Sequence, residues 1–376
     1  MKKKFLVSIA LSAMLLFTAC DRKDNTKNNS TNKIKVESTA TKGEVKKYNI
    51  EFYDTFDTVI DIAIYSDDEN FANENLKYAK KRFQELHMLF DNYKNYDGII
   101  NAKSINDDAG TKPLIVDLTL YNLIKFSVDN HNNISHKTNI AMGPVTGLWN
   151  SYRTEYEGGK TKEQVVEKFG QAIPTEAELE TLRPYTNISN IKLNDDKKTV
   201  EINKGMSLDL GATAKGYATE IVARELEERG VKSALISAGG NVRAIGSPGD
   251  GREFYKVGIQ NPTMDPNNPT SVILNLKDMS AVTSGDYQRY FEVDGVRYCH
   301  IIDPDTLQPS GNLKSVTVIA KDSGLCDFLS TACFNSTEEE IKEIAAKTNT
   351  AIIWITEDNE LKYTENALEY IDQGEN

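Results

Sequence analysis

Between Phe56 and Thr356 the apolar residues switch repeatedly between a period of two and a period near 3.6, which restricts the chain to strands mixed with packed helices. Phe56 to Tyr65 sets Ile60, Ile62 and Ile64 against Val59, Asp61 and Ala63, the pattern of a half-buried strand. From Glu74 to Asp91, Leu76, Ala79, Phe83, Leu86 and Phe90 recur at three and four, which predicts an amphipathic helix holding a structural His87. Asp117 is placed to cap a helix running to Asn130, and Lys192 to Asn203 reads as a hairpin turning at Asp195-Asp196. A helix from Thr213 to Arg229 stops at Gly230, and a strand from Val231 to Ala238 ends in Gly239-Gly240. Beyond it the pattern is β-rich. Val257 to Gln260, Val272 to Leu276, Tyr287 to Val293, Val296 to Asp303 and Val316 to Ala320 read as strands, with Asp294-Gly295 as a tight turn. A helix over Ser323 to Phe334, a second opened by the capping box Thr337-x-x-Glu340, and a strand over Ala351 to Thr356 complete the series. Hairpins with interspersed helices indicate an α+β fold of mixed, largely antiparallel sheets rather than a doubly wound parallel sheet.

The N-terminal segment is an address rather than part of this core. Lys2, Lys3 and Lys4 precede an apolar run from Phe5 to Phe17 that is short for a membrane span. Thr18-Ala19-Cys20 then has the form of a bacterial lipoprotein signal, with cleavage before Cys20 and acylation of that residue, although Phe17 stands where an aliphatic residue is usual. The residues after Cys20 are rich in Asn, Lys, Thr and Ser and cannot bury enough surface to offset their ordering entropy. The expected division is a signal peptide over 1–19, a lipid-anchored disordered tether over 20–47, and one folded domain over 48–376. That places the domain on the extracytoplasmic face of a bacterial cell membrane. A net charge of −12 argues against nucleic acid as the partner. Cys326 and Cys333 fall seven apart on a helix, about 10 Å of rise, too far to bridge. With His87, His131, His136 and His300 forming no metal motif, zinc is not expected.

Three segments have the chemistry of a phosphate site. Asp209-Leu-Gly-Ala-Thr-Ala-Lys215-Gly216 joins a strand to a helix start, where free N–H groups, the dipole and Lys215 favour an anion. It is not a P-loop, because Lys215 precedes the second glycine and Tyr217 follows it. Ala281 to Tyr287 gathers small hydroxyl residues and glycine in an expected turn between strands. Asp327 and Thr331 lie four apart, so on a helix their Cβ atoms stand about 5–6 Å from each other. A carboxylate and a hydroxyl so placed suit Mg²⁺, with phosphate oxygens completing its shell. Taken singly, the three are also a capped helix, an ordinary turn and a solvated helix face.

Their combination is informative. In order, the chain carries Asn139-Ile-Ala-Met-Gly-Pro-Val-Thr-Gly-Leu-Trp149, Leu208-Asp-Leu-Gly-Ala-Thr-Ala-Lys-Gly-Tyr217, Ala238-Gly-Gly-Asn-Val242, Thr283-Ser-Gly-Asp-Tyr287, His300-Ile-Ile-Asp-Pro304 and Asp327-x-x-x-Thr331. Together these resemble the ApbE family of FAD:protein FMN transferases, over about Asn49 to Asp372. The resemblance implies a T-fold-like α+β domain with its active site in a cleft between two lobes. It implies Mg²⁺ held by the Ala212 carbonyl, Asp327 and Thr331, and FAD as substrate contacted by Phe56, Ala141, Met142, Gly143, Asp209 and Lys215. Thr283, Ser284, Gly285 and His300 join the flavin contacts, and His300, Asp303 and Lys215 are the expected catalytic residues. FMN would pass to a Thr or Ser hydroxyl of an acceptor protein bearing Asp-x-x-Ser/Thr-Gly-Ala-Ser/Thr, an exported or membrane redox protein, with release of AMP.

The chain departs from the family pattern in three places. Gly-Gly-Asp reads Gly-Gly-Asn241, the Asp-Pro-x-Thr-Gly loop ends in Leu307, and the early Met-Gly-Thr is Phe56-Asp57-Thr58. Leucine at a glycine position predicts a loop of different shape, since it disfavours positive φ. Two other functions fit the same residues: an FAD pyrophosphatase that uses water, and a flavin-binding lipoprotein without catalysis.

Overall fold

A computed structural model of the chain describes residues 44–374. The signal segment, Cys20 and the tether up to residue 43 lie outside the described residues. Strands β1 (Lys46–Thr55) and β2 (Thr58–Ser66) form a hairpin, so the folded domain begins within the expected tether. Helix α1 (Glu69–Phe90) follows, capped by Asp68 and starting earlier than its apolar spacing predicts. Next come α2 (Ala102–Asp107), β3 (Leu114–Ile115), α3 (Leu118–Asn133), α4 (Gly143–Glu157), α5 (Lys162–Phe169), α6 (Glu176–Leu182), β4 (Lys192–Asn194) and β5 (Thr199–Glu201). Helix α7 (Ala214–Glu228) leads to β6 (Ala234–Ala238), β7 (Asn241–Ile245), β8 (Tyr255–Gln260), β9 (Thr270–Leu276) and β10 (Ser280–Gly285). The chain closes through β11 (Tyr290–Val293), β12 (Val296–Cys299), β13 (Leu313–Ala320), α8 (Ser323–Phe334), α9 (Glu338–Thr348), β14 (Ala351–Thr356) and β15 (Leu361–Tyr363).

Eight strands make one sheet in the order β1-β2-β6-β7-β10-β13-β14-β15, and every neighbouring pair is antiparallel. The alternation along β2 sorts its two faces as read. Ile60, Ile62 and Ile64 pack with Phe83, Leu86, Ala218 and Val222 of α1 and α7, while Ala63 and Tyr65 join Tyr255, Val257 and Leu274 of the β8–β9 hairpin. Fully burying each such side chain is worth about 1.5–3 kcal/mol, so these layers hold α1 and α7 firmly on the sheet. A separate apolar cluster joins α4, α5 and α6 to the β11–β12 hairpin through Trp149, Tyr152, Phe291 and Leu307.

The segment 281–287 was expected to be a turn. Its residues 281–285 lie instead in β10, which pairs with β13 along its length and with β7 at its start, and Asp286 and Tyr287 follow the strand. Its hydroxyls misled the pattern because they find partners: Thr283 Oγ1 meets Thr317 Oγ1 at 2.8 Å, and Ser284 Oγ meets Ser330 Oγ at 2.8 Å. The loop ending in Leu307 also departs from expectation. Leu307 takes the left-handed conformation at φ 59°, held by full burial in the α4 cluster. Trp149 Nε1 donates to its carbonyl at 2.9 Å, and its own N–H donates to Asp303 O at 2.8 Å. Packing overrides a local cost of about 1–2 kcal/mol.

Candidate active site

The site begins where α7 crosses α8. Gly216 is the point of contact: a Cβ there would stand 2.3 Å from Asp327 Cβ and 2.4 Å from Ser323 O, so only glycine lets the helices meet this closely. The approach lets the Gly216 N–H donate to Asp327 Oδ2 at 2.8 Å, across 111 positions of sequence. That amide would otherwise close the first turn of α7 onto Ala212. The Ala212 carbonyl is left without a backbone hydrogen bond among the described residues. Asp327 is 4% exposed. Burial raises its pKa, while Lys215 and the Gly216 N–H act to lower it. A buried carboxylate facing an open carbonyl, with the Thr331 hydroxyl one turn along α8, is an all-oxygen corner. Such donors fit Mg²⁺ and not a soft metal. Among the described residues no three His, Cys, Asp or Glu side chains cluster as a metal site, so any cation here needs further oxygens from a ligand.

This corner forms one wall of a cleft of about 1410 Å³, counting its part open to solvent. The other walls come from α4, the β11–β12 hairpin and the start of β2. Of the residues singled out by sequence, Met142, Asp209, Ala212, Lys215, Thr283, Ser284, Gly285, His300, Asp327 and Thr331 all line it. Asp209 is fixed by Thr146 Oγ1, which donates to it at 2.6 Å, and by the Gly211 N–H at 2.9 Å. Lys215 Nζ donates to Gly211 O at 3.2 Å and remains half-exposed to the cleft.

Four residues take other positions. The Phe56 ring packs against Phe83, His87 and Phe90, and Thr58, two residues on, lines the cleft instead. Phe56 and Asp57 both have φ 53°, which turns β1 tightly into β2. Ala141 is fully buried in the main core. Gly143 lies where the chain crosses Ser207, whose carbonyl would be 2.4 Å from a Cβ. Asp303 accepts from Lys137 Nζ at 3.0 Å and from the Asp305 N–H at 3.0 Å, so its carboxylate organises the loop behind His300.

His300 follows β12. Its Nδ1 stands 3.3 Å from Arg289 O, which assigns the ring hydrogen to Nδ1 and leaves Nε2 bare. Desolvation, then the positive charges of Arg289, Arg153 and Lys215, push its pKa down to about 3. The ring is neutral at neutral pH. Because it still has exposed surface, the cations are the part of that shift that persists in a hydrated cleft.

Sequence reading passed over Arg153, Arg289, Tyr93 and Lys137, which also line the cleft. Arg153 lies one turn after Trp149 on α4, and that helical spacing alone could have flagged it. Tyr93 is 66% exposed, and the nearby charge of Asp209 raises its pKa. An exposed aromatic face, three cations and an oxygen-lined corner together can hold an aromatic, multiply phosphorylated ligand.

The chain is similar to proteins of one family. The ApbE family model matches residues 56–354. The FAD:protein FMN transferase of Treponema pallidum is 31% identical over 279 residues, covering 68% of this chain and 74% of that protein. That of Vibrio cholerae is 27% identical over 286 residues, covering 75% and 81%. The crystal structure of the ApbE protein from Thermotoga maritima superposes with a TM-score of 0.74 at 25% identity, covering 87% of this chain and 100% of its own. The flavin transferase ApbE from Vibrio cholerae shares the fold, with a TM-score of 0.70 at 23% identity over 85% of this chain and 97% of its own. With the family pattern running from the β1–β2 turn to β14 and the fold shared over most of its length, this chain belongs to the ApbE family.

Proposed function

We propose that the protein is an FAD:protein FMN transferase that works with Mg²⁺ and links FMN through a phosphoester to a Thr or Ser hydroxyl of a partner protein. The observation that carries this reading is the oxygen corner of Asp327, Thr331 and the Ala212 carbonyl, set beside Lys215 in a cleft that also holds a neutral His300. These residues would hold Mg²⁺, which supplies charge neutralisation on a diphosphate.

The chain's own groups account for the rest. Lys215, Arg153 and Arg289 carry positive charge to the cleft, where an FAD diphosphate would be neutralised and oriented. The acceptor hydroxyl oxygen bonds to the phosphorus of the FMN half, the bond from that phosphorus to the bridging oxygen breaks, and AMP leaves with that oxygen. The hydroxyl proton needs an acceptor, and His300 Nε2 is the bare lone pair available. A diphosphate beside the three cations cancels the repulsion that depresses His300, so substrate binding makes the ring a better base.

From the Thr18-Ala19-Cys20 pattern we further infer that the mature chain is anchored by lipid at Cys20, with the domain on the extracytoplasmic side of the bacterial membrane. Its acceptors would then be exported or membrane redox proteins. The test combines purified protein, FAD, Mg²⁺ and a protein bearing Asp-x-x-Ser/Thr-Gly-Ala-Ser/Thr. Fluorescence retained on a denaturing gel together with free AMP is the expected result. Asp327→Ala should lose both products. AMP without labelled acceptor would select hydrolysis by water, and neither product would leave only flavin binding.

A further inference from the structure

Behind the Asp327 corner lies a side chain that the reading above leaves without a role. Asn241 opens β7 immediately after the Gly239-Gly240 turn and is 1% exposed. Its Nδ2 donates to Ala238 O at 3.3 Å, which fixes the amide and turns Oδ1 the other way. Oδ1 is buried and has no hydrogen-bond partner among the described residues. A buried acceptor left in this state is unfavourable unless something else pairs with it.

Its position is informative. A Cβ built on Gly216 would stand 3.1 Å from Asn241 Oδ1 and 2.3 Å from Asp327 Cβ, so both side chains converge on the same point of the α7–α8 crossing. The donor nearest to hand, the Gly216 N–H, is committed to Asp327 Oδ2. Asn241 lines the cleft together with Asp327, Thr331 and Ala212. A buried oxygen without a donor, close to a buried carboxylate whose own donor is already committed, is relieved by a cation.

We infer that Asn241 Oδ1 is a further, neutral oxygen of the cation site. This rests on the reading of Asp327 and Thr331 as the residues that hold Mg²⁺. The consequence concerns charge. Asn241 adds an oxygen but no negative charge, so the protein brings a single carboxylate to the site. The cation would bind weakly to the protein alone and firmly once a diphosphate supplies the remaining charge. The neutral amide thereby couples metal retention to the presence of substrate.

The experiment is a titration of the purified protein with Mn²⁺, read by the electron paramagnetic resonance of the free ion, with and without ADP as a diphosphate probe. The parent should bind Mn²⁺ much more tightly with ADP. Asn241→Ala removes the oxygen without adding bulk, and should weaken binding by about 10- to 100-fold. Asn241→Asp should tighten binding without ADP by a similar factor and so shrink the effect of ADP, a gain that misfolding cannot imitate. If both variants bind like the parent while Asp327→Ala has lost the ion, the role of Asn241 is overturned and the metal site stands. If Asp327→Ala also binds like the parent, the metal reading itself falls, and this inference with it.

Discussion

The two walls of the cleft are built on different principles. The α7–α8 wall is set by backbone contact: Gly216 admits Asp327, and a main-chain N–H holds the carboxylate. The opposite wall, from α4, β11–β12 and the loop to Leu307, is set by side chains. Trp149, Tyr298 and Phe291 stack, with Trp149 and Tyr298 centroids 5.7 Å apart and 22° between their planes, and Lys137 bridges to Asp303 and Asp305. A wall made of backbone contact has no slack, since neither helix can shift without the other. A wall made of side chains can yield by degrees. Placing the oxygen corner on the first and His300 on the second puts the most exacting geometry where the fold is least able to relax.

The largest expected effect tests that contrast directly. Gly216→Ala forces a methyl group into Asp327 and Ser323, and should destabilise the chain by about 1–3 kcal/mol. It should also abolish Mg²⁺-dependent AMP release in the fraction still folded, as measured by urea unfolding and an AMP assay. A variant with parental stability and activity would show that the junction is soft after all.

His300→Ala on the yielding wall should leave the fold intact and slow FMN transfer by about 10²- to 10⁴-fold. The parent's rate should fall toward acid with an apparent pKa above about 3, because bound diphosphate offsets the neighbouring cations. Stability offers a second readout. The folded chain resists a proton that the unfolded chain takes up near 6.5, so His300 contributes stability above that pH that is lost as pH falls below 6.5. His300→Ala should flatten that part of the acid unfolding curve.

Smaller effects probe how the yielding wall is held. Leu307→Gly relieves the left-handed strain but empties a buried site, and should cost a net of about 1–3 kcal/mol in thermal or urea unfolding. A stabilised variant would show that strain, not packing, dominates that loop. Trp149→Phe removes only the hydrogen bond to Leu307 O and some contact area, and should cost about 1 kcal/mol.

The contrast also explains what was legible in the sequence. The oxygen corner was readable because each half is local: Asp327 and Thr331 share a helix turn, and the segment from Asp209 to Gly216 carries its own capping and glycine signals. Its partner Asn241 was noted only as a departure from a family pattern, because an orphaned oxygen exists only once neighbours are placed. Arg289 carried no signal of function and Arg153 only its helical spacing from Trp149, since a surface arginine and a cleft arginine look alike until α4 and the segment before β11 are brought face to face. The strand β10 was hidden by its hydroxyls, whose partners Thr317 and Ser330 come from distant elements. Likewise Leu307 was judged by its own φ preference, which the α4 cluster overrides.

By itself, then, the sequence determined the alternation of strands and helices, the residues of the oxygen corner and the family to which they point. These are properties of neighbours along the chain, governed by periodicity, capping and side-chain chemistry. Only the tertiary structure decided that Gly216 admits Asp327, that His300 stands among three cations, and that Asn241 presents an unpaired oxygen. Each of these is set by distances between segments far apart in sequence, which packing fixes and local preference cannot.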